Sequence, residues 1–191
     1  ISLIQVAEGG MNEVSNILVR MRELATQAAS DTIGNTERSY SNKEYNEMVK
    51  EIDRISATAE FNGYKLLQGS EANNGMTALT IHVGAGDGSV PNTDTIDLDI
   101  DTMKLNAGEV LGLETGAMIG PEESDGAFER TEAANKLGII DTAIKKIAGN
   151  RAELGAKQSR LNSTINNLGV QVENMSTSRS RIRDVDFAAV T

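Results

Sequence analysis

The sequence predicts a mainly α fold with a small β part. It would be an elongated antiparallel helical bundle with coiled-coil character, made of two N-terminal helices and one long C-terminal helix beside a β-hairpin region. Three observations predict it. Near the C-terminal end, the row Ile140, Ile147, Leu154, Leu161, Leu168, Met175, Ile182 is apolar at every seventh residue. That spacing puts a continuous sticky seam along one helix. A second heptad series near the N-terminus runs Ile4, Ala7, Met11, Val14, Leu18, Met21, Ala25, Ala28. Between them the period changes to two: Leu79, Ile81 and Val83 alternate with Thr80 and His82, and Ile96, Leu98 and Ile100 alternate with Asp97, Asp99 and Asp101. Period two marks strands with one buried face.

Composition agrees with helix seams rather than a thick globular core. Aromatic residues make up 3% of the 191, there is no Trp, and 18 residues are Gly. With no Cys, disulfides and thiolate metal sites are excluded. No apolar run approaches the ~18 residues of a membrane span. Net charge is −10. Residues 71–130 carry 12 Asp and Glu against 2 Lys and Arg, whereas residues 1–70 sum to −3 and residues 131–191 to +3. The middle is therefore expected to be a solvated outer surface, and the oppositely signed ends suit mutual packing. A weakly basic end argues against nucleic acid as a partner.

The whole chain, 1–191, is expected to form one elongated domain: helices and a turn over 1–69, an acidic Gly-rich hairpin and loop region over 70–130, the long helix over 131–182, and a tail over 183–191. The helical pattern is already running at Ile1, so the chain reads as cut from something longer. In the first helix Leu3, Ile17 and Leu24 widen the apolar face, while Arg20, Arg22, Glu23 and Gln27 fall off it and should be exposed. Gly34 and Asn35 supply its stop. The second helix has Tyr45, Met48, Ile52, Ile55 and Ala59 as its stripe. Its cap is expected at Thr36 or at Ser41, which forms a capping box with Glu44, and Asn62-Gly63 should end it. Gly84 to Gly88, with Pro91 and Asn92, is turn material for a long-looped hairpin. Residues 105–130, with Pro121, read as loops with room for a short strand. Thr131 and Glu132 are expected as the cap and first turn of the long helix. Its second row, Leu137, Ile144, Arg151, Gln158, Ile165, Val172, Arg179, is partly polar. Gly138, Gly149, Gly155 and Gly169 inside it each cost ~1 kcal/mol against Ala; Gly155 and Gly169 fall beside the seam rows, where a neighbouring helix is expected to come close, the alternative being plain tolerance in a long helix.

No catalytic constellation emerges. His82 is the one histidine, with no nucleophile spaced to use it. Asp97, Asp99 and Asp101 hint at a calcium loop, but its sixth and twelfth positions would be Thr102 and Gly108 instead of Gly and Glu. Charges that discourage edge-to-edge pairing explain them better. The glycines after Val83 lack a dinucleotide fingerprint and open no helix. No cofactor and no metal is expected.

Several longer motifs carry a resemblance. Met21-Arg22-Glu23-Leu24-Ala25, Glu51-Ile52-Asp53-Arg54-Ile55, Phe61-Asn62-Gly63-Tyr64-Lys65-Leu66-Leu67, Leu154-Gly155-Ala156-Lys157-Gln158-Ser159-Arg160-Leu161, and Ser178-Arg179-Ser180-Arg181-Ile182-Arg183-Asp184-Val185-Asp186-Phe187 are similar to bacterial flagellins. The resemblance covers residues 1–69 and about 131–190. It implies the rod-shaped core domain called D1, with the family's outer domains nearly absent and its terminal polymerisation segments missing. It implies a secreted, extracellular subunit of the flagellar filament that self-assembles with other flagellin subunits for motility, exported by the flagellar apparatus, with an export chaperone acting through the family's C-terminal end. It further implies a ligand of Toll-like receptor 5, on a surface matching Leu18, Arg20, Leu24, Gln27, Glu44 and Arg160, which is also expected to meet the next subunit. Position 19, commonly Gln in the family, is Val19 here. Two alternatives stand beside this reading: a hook–filament junction protein, and a helical adaptor whose acidic hairpin docks a basic partner. An enzyme has the least support.

Overall fold

A computed structural model of the chain describes residues 1–84, 86, 94–113, 119 and 130–188. Among these residues, three α-helices, one short 3-10 helix (Ser70–Asn73) and two small antiparallel hairpins account for the regular structure. Helix α1 spans Ser2–Ala28 and α2 spans Asn35–Thr58. The short strands β1 (Glu60–Phe61) and β2 (Tyr64–Lys65) pair with each other. Strand β3 (Ala78–His82) pairs with β4 (Thr95–Asp99), Thr80 lying opposite Asp97. Helix α3 runs from Arg130 to Ala188, so residues 183–188 continue it where a tail was expected. At ~1.5 Å per residue it is about 90 Å long, against about 40 Å for α1.

Helix α1 is the centre of the rod, packed against α3 on one side and α2 on the other. All eight residues of its heptad series are fully buried, and Leu24 is buried with them. Each of the larger side chains among them contributes ~1.5–3 kcal/mol over leaving it in water. The α3 seam packs chiefly on α1, with β4 also against it. The pairing is antiparallel: Arg22 bonds Asp141 at 2.8 Å near one end, and Arg151 approaches Glu8 at 3.9 Å near the other.

Helix α2 departs from expectation in its register and its caps. Its buried face is Arg38, Ser41, Asn42, Tyr45, Val49, Ile52 and Ser56, with Met48, Ile55 and Ala59 at its margin. The helix starts at Asn35, so Ser41 lies inside it and donates to the Glu37 carbonyl at 3.1 Å instead of capping. Buried polar groups are tolerated where each finds a partner. Arg38 donates to the carbonyls of Ala28 (2.9 Å) and Ser30 (2.7 Å) and to Asn35 Oδ1 (3.2 Å). It thereby closes the C-terminal end of α1 with a positive charge, where the helix dipole favours one. Ser56 donates to the Leu67 carbonyl at 2.6 Å.

Asn62-Gly63 does not terminate α2, which ends four residues earlier at Thr58. It is the two-residue turn of the β1–β2 hairpin, with φ of 51° and 84°. Two consecutive positive φ values match the twist of a tight hairpin and suit this dipeptide. Leu66 and Leu67 then plug the space between α1 and α2. A Cβ on Gly10 would sit 2.8 Å from Leu67 Cδ1, so a larger residue there would push the Leu67 side chain aside.

The β3–β4 hairpin turns Ile96, Leu98 and Ile100 inward. Asp99 Oδ1 accepts from the backbone amides of Asp101 and Thr102, and Asp101 Oδ1 accepts from that of Ser70. These carboxylates hold turns. Helix α3 clamps the β region through its polar side chains: Lys157 Nζ donates to the Asp97 carbonyl (2.8 Å), Asn150 to Thr102 (2.7 Å) and Lys146 to Val110 (3.3 Å). From 106 to 113 the described chain is turns rather than strand. Gly88, Pro91, Asn92 and Pro121 lie outside the described residues. Thr131 and Glu132 fall in the first turn of α3, which begins at Arg130. A Cβ placed on Gly138, Gly149, Gly155 or Gly169 would meet nothing within 4 Å, so none of these glycines admits a neighbouring helix of this chain.

Candidate interaction surfaces

With α1 covered on two sides, function falls to what stays open along the rod. Among the described residues, no group of His, Cys, Asp and Glu is placed to hold a metal ion, and no helix is long and apolar enough to cross a membrane. His82 is exposed on β3.

The first open surface is the α1–α2 edge. Arg20 lies off the α1 seam, and its guanidinium bonds Glu23 on its own helix (3.0 Å) and Glu44 on α2 (2.9 Å). These hydrogen bonds, Glu23 first and Glu44 next, raise the Arg20 pKa above its ordinary value. Half of the Arg20 side chain remains in solvent, and Gln27 is exposed on the same helix. The structure thus brings together two of the residues singled out by resemblance, Arg20 and Glu44, as a direct pair. It does not expose Leu18 or Leu24, which are buried in the α1 core and support the edge from beneath. Arg160, though exposed, lies 19 residues beyond the Asp141 that pairs with Arg22, on the order of 30 Å along the rod. It belongs to a different surface.

That second surface is the far half of α3. Ile140, Ile147, Leu154 and Leu161 are buried, Leu161 at 5% exposure. On the same row Leu168 is 38% exposed, Met175 66% and Ile182 73%. Ile165 and Val172 of the second row are open too, as is Val170. Among the described residues, the antiparallel pairing brings the start of α1 level with about Leu161, and the α3 row continues past that point. An apolar row of this length is an adhesive face. Beside it, between the hairpin tip (His82, Val83, Asp94) and α3 (Arg160, Leu168, Met175), lies an open cleft of about 660 Å³. Heptad counting found this row but carried no signal that half of it would stay bare. The Arg20–Glu44 pair was invisible to spacing, because it depends on how two helices are set side by side.

Comparison with known proteins places these surfaces in a family. Residues 1–72 match the family model for the bacterial flagellin N-terminal helical region, and residues 137–191 match that for the C-terminal helical region. A flagellin from Halalkalibacterium halodurans is 38% identical over 98% of this chain and 62% of its own length. One from Clostridium tyrobutyricum is 30% identical over 99% of this chain and 74% of its own length. The crystal structure of Bacillus cereus flagellin superposes with a TM-score of 0.67 at 32% identity, covering 87% of this chain and 84% of that one. The chain spans less than two thirds of the length of several curated relatives it matches, 62–64% for flagellins of Halalkalibacterium and Treponema pallidum. Both helical ends, in order and around the same three-helix rod, make this chain a member of the bacterial flagellin family.

Proposed function

We propose that this chain is the single elongated core unit of a flagellar filament subunit, working outside the cell by packing against copies of itself. Export by the flagellar apparatus with the help of a chaperone is part of the same proposal, and no catalytic role is. The observation that supports it most is that the apolar heptad row of α3 is carried on past Leu161 through Leu168 and Met175 to Ile182. Such a face costs solubility unless an assembly covers it. The test uses the full-length protein carrying Leu168→Asp with Met175→Asp. We expect retained helicity and loss of filaments by electron microscopy and sedimentation. Normal filaments would sink the idea. A junction protein would fail differently, since its unaltered full-length form would not grow long tubes at all.

A second reading rests on the Arg20–Glu44 edge, as a surface recognised by Toll-like receptor 5. Its support is geometric: a half-exposed guanidinium held by two carboxylates is already oriented, and Arg is frequent at binding hot spots. Leu18 and Leu24 then act as scaffold, leaving Arg20, Gln27 and Glu44 as contacts and Arg160 as a distant one. Arg20→Ala should reduce potency in a receptor-reporter assay by about 10-fold or more, with helicity retained. Equal potency would remove this reading.

A further inference from the structure

The β3–β4 hairpin has two edges, and they are treated differently. The β4 edge is shut against α3, where Lys157 takes the Asp97 carbonyl and Asn150 that of Thr102. The parity of the ladder identifies the other edge. Ile100 N donates to Thr77 O at 2.8 Å and Val83 N to Asp94 O at 2.7 Å, with Leu79 opposite Leu98 and Ile81 opposite Ile96. Residues 77, 79, 81 and 83 therefore bond across to β4. In an antiparallel ladder the alternate residues, Ala78, Thr80 and His82, aim their amides and carbonyls outward. Among the described residues nothing pairs with them.

An open edge is ordinarily guarded by a charge, a proline or a bulge. Here the aspartates sit on β4, the covered strand, and residues 76–83 contain no Asp, Glu, Lys, Arg or Pro. In a chain of net charge −10, this is a strand along which two copies can approach without bringing like charges together.

We infer that β3 is a pairing edge for a second copy of this chain, joined antiparallel about a two-fold axis through Thr80. The register is self-consistent. Thr80 faces its own copy, Ala78 faces the partner's His82, and all three are outward-pointing positions, so about six backbone hydrogen bonds form. Leu79 meets the partner's Ile81 on the apolar face, extending the row already made with Ile96 and Leu98. A cross-strand apolar pair of this kind adds to stability. The product is a four-stranded sheet, and its contact is independent of the bare α3 row. Strands of five residues bury far less than the ~1,200 Å² of a stable complex, so association should fall near ~0.1–1 mM.

The test is sedimentation of the chain up to about 1 mM, with amide exchange read at single residues. The mean mass should climb above 20.4 kDa with concentration, and protection should rise at Ala78, Thr80 and His82 while Ile81 stays unchanged. Thr80→Pro removes an outward amide and leaves the β4 ladder intact, since proline is tolerated on a free edge. It should weaken association at least about 10-fold without altering the melting curve. Leu168→Asp with Met175→Asp should leave the dimer in place. A chain that stays monomeric overturns the inference, as does a dimer that survives Thr80→Pro but is lost in the α3 double variant.

Discussion

The two halves of α3 carry one pattern and meet opposite fates. From Ile140 to Leu161 the heptad row is sealed against α1; from Leu168 to Ile182 the same row stands in water. Nothing in the residues themselves separates the halves. Among the described residues, the difference is how far the 27 residues of α1 extend along the 59 of α3. A heptad row states that a face is adhesive, and only the fold states what it adheres to.

Breaking this contrast most strongly calls for a charge. Leu161→Asp places an unpaired carboxylate in the α1–α3 seam and should cost at least ~4 kcal/mol, unfolding the rod in a thermal melt. Leu168→Asp, one heptad further on, should leave the melt where it was; a matching loss at both would erase the distinction. Truncation gives a graded version. Leu154→Ala should lower stability by ~2–4 kcal/mol in denaturant titration, whereas Met175→Ala stays within ~0.5 kcal/mol. The exposed glycines run the other way. Gly155 has room for a methyl group, so Gly155→Ala should raise stability by ~0.5–1 kcal/mol, and a decrease would mean that something unseen packs there. The smallest effect belongs to the Arg22–Asp141 bridge, whose side chains are 56% and 43% exposed. Arg22→Ala should cost under ~1 kcal/mol, and that cost should fade in high salt.

Periodicity made most of the fold legible. The α1 series was readable residue by residue because a helix held on opposite sides by two others must be apolar at each inward step. The β3–β4 pair was equally plain, since alternation survives wherever one face is buried. The α2 face was read less well. Arg38, Asn42 and Ser56 are buried there because each meets a backbone partner supplied from elsewhere in the chain: Ala28, Ile119 and Leu67. Such partners are tertiary facts, absent from local spacing. Asn62-Gly63 was ambiguous for a related reason, because the same dipeptide closes helices and turns hairpins, and only its neighbours decide. Of the candidate surface, Arg20, Gln27 and Glu44 are exposed as expected, while Leu18 and Leu24 serve the seam. A residue on the border between two stripes belongs to whichever helix comes nearer.

The order of the elements along the chain has a kinetic consequence. Helices α1 and α2 are neighbours in sequence and can find each other as soon as both exist. The contact between Arg22 and Asp141 closes a loop of over about a hundred residues, and long-range contacts of this kind form late. A chain made from its N-terminus therefore holds a half-covered α1 until α3 follows, and the rod locks only then. Until then α1 has only α2 and the β1–β2 hairpin to pack against.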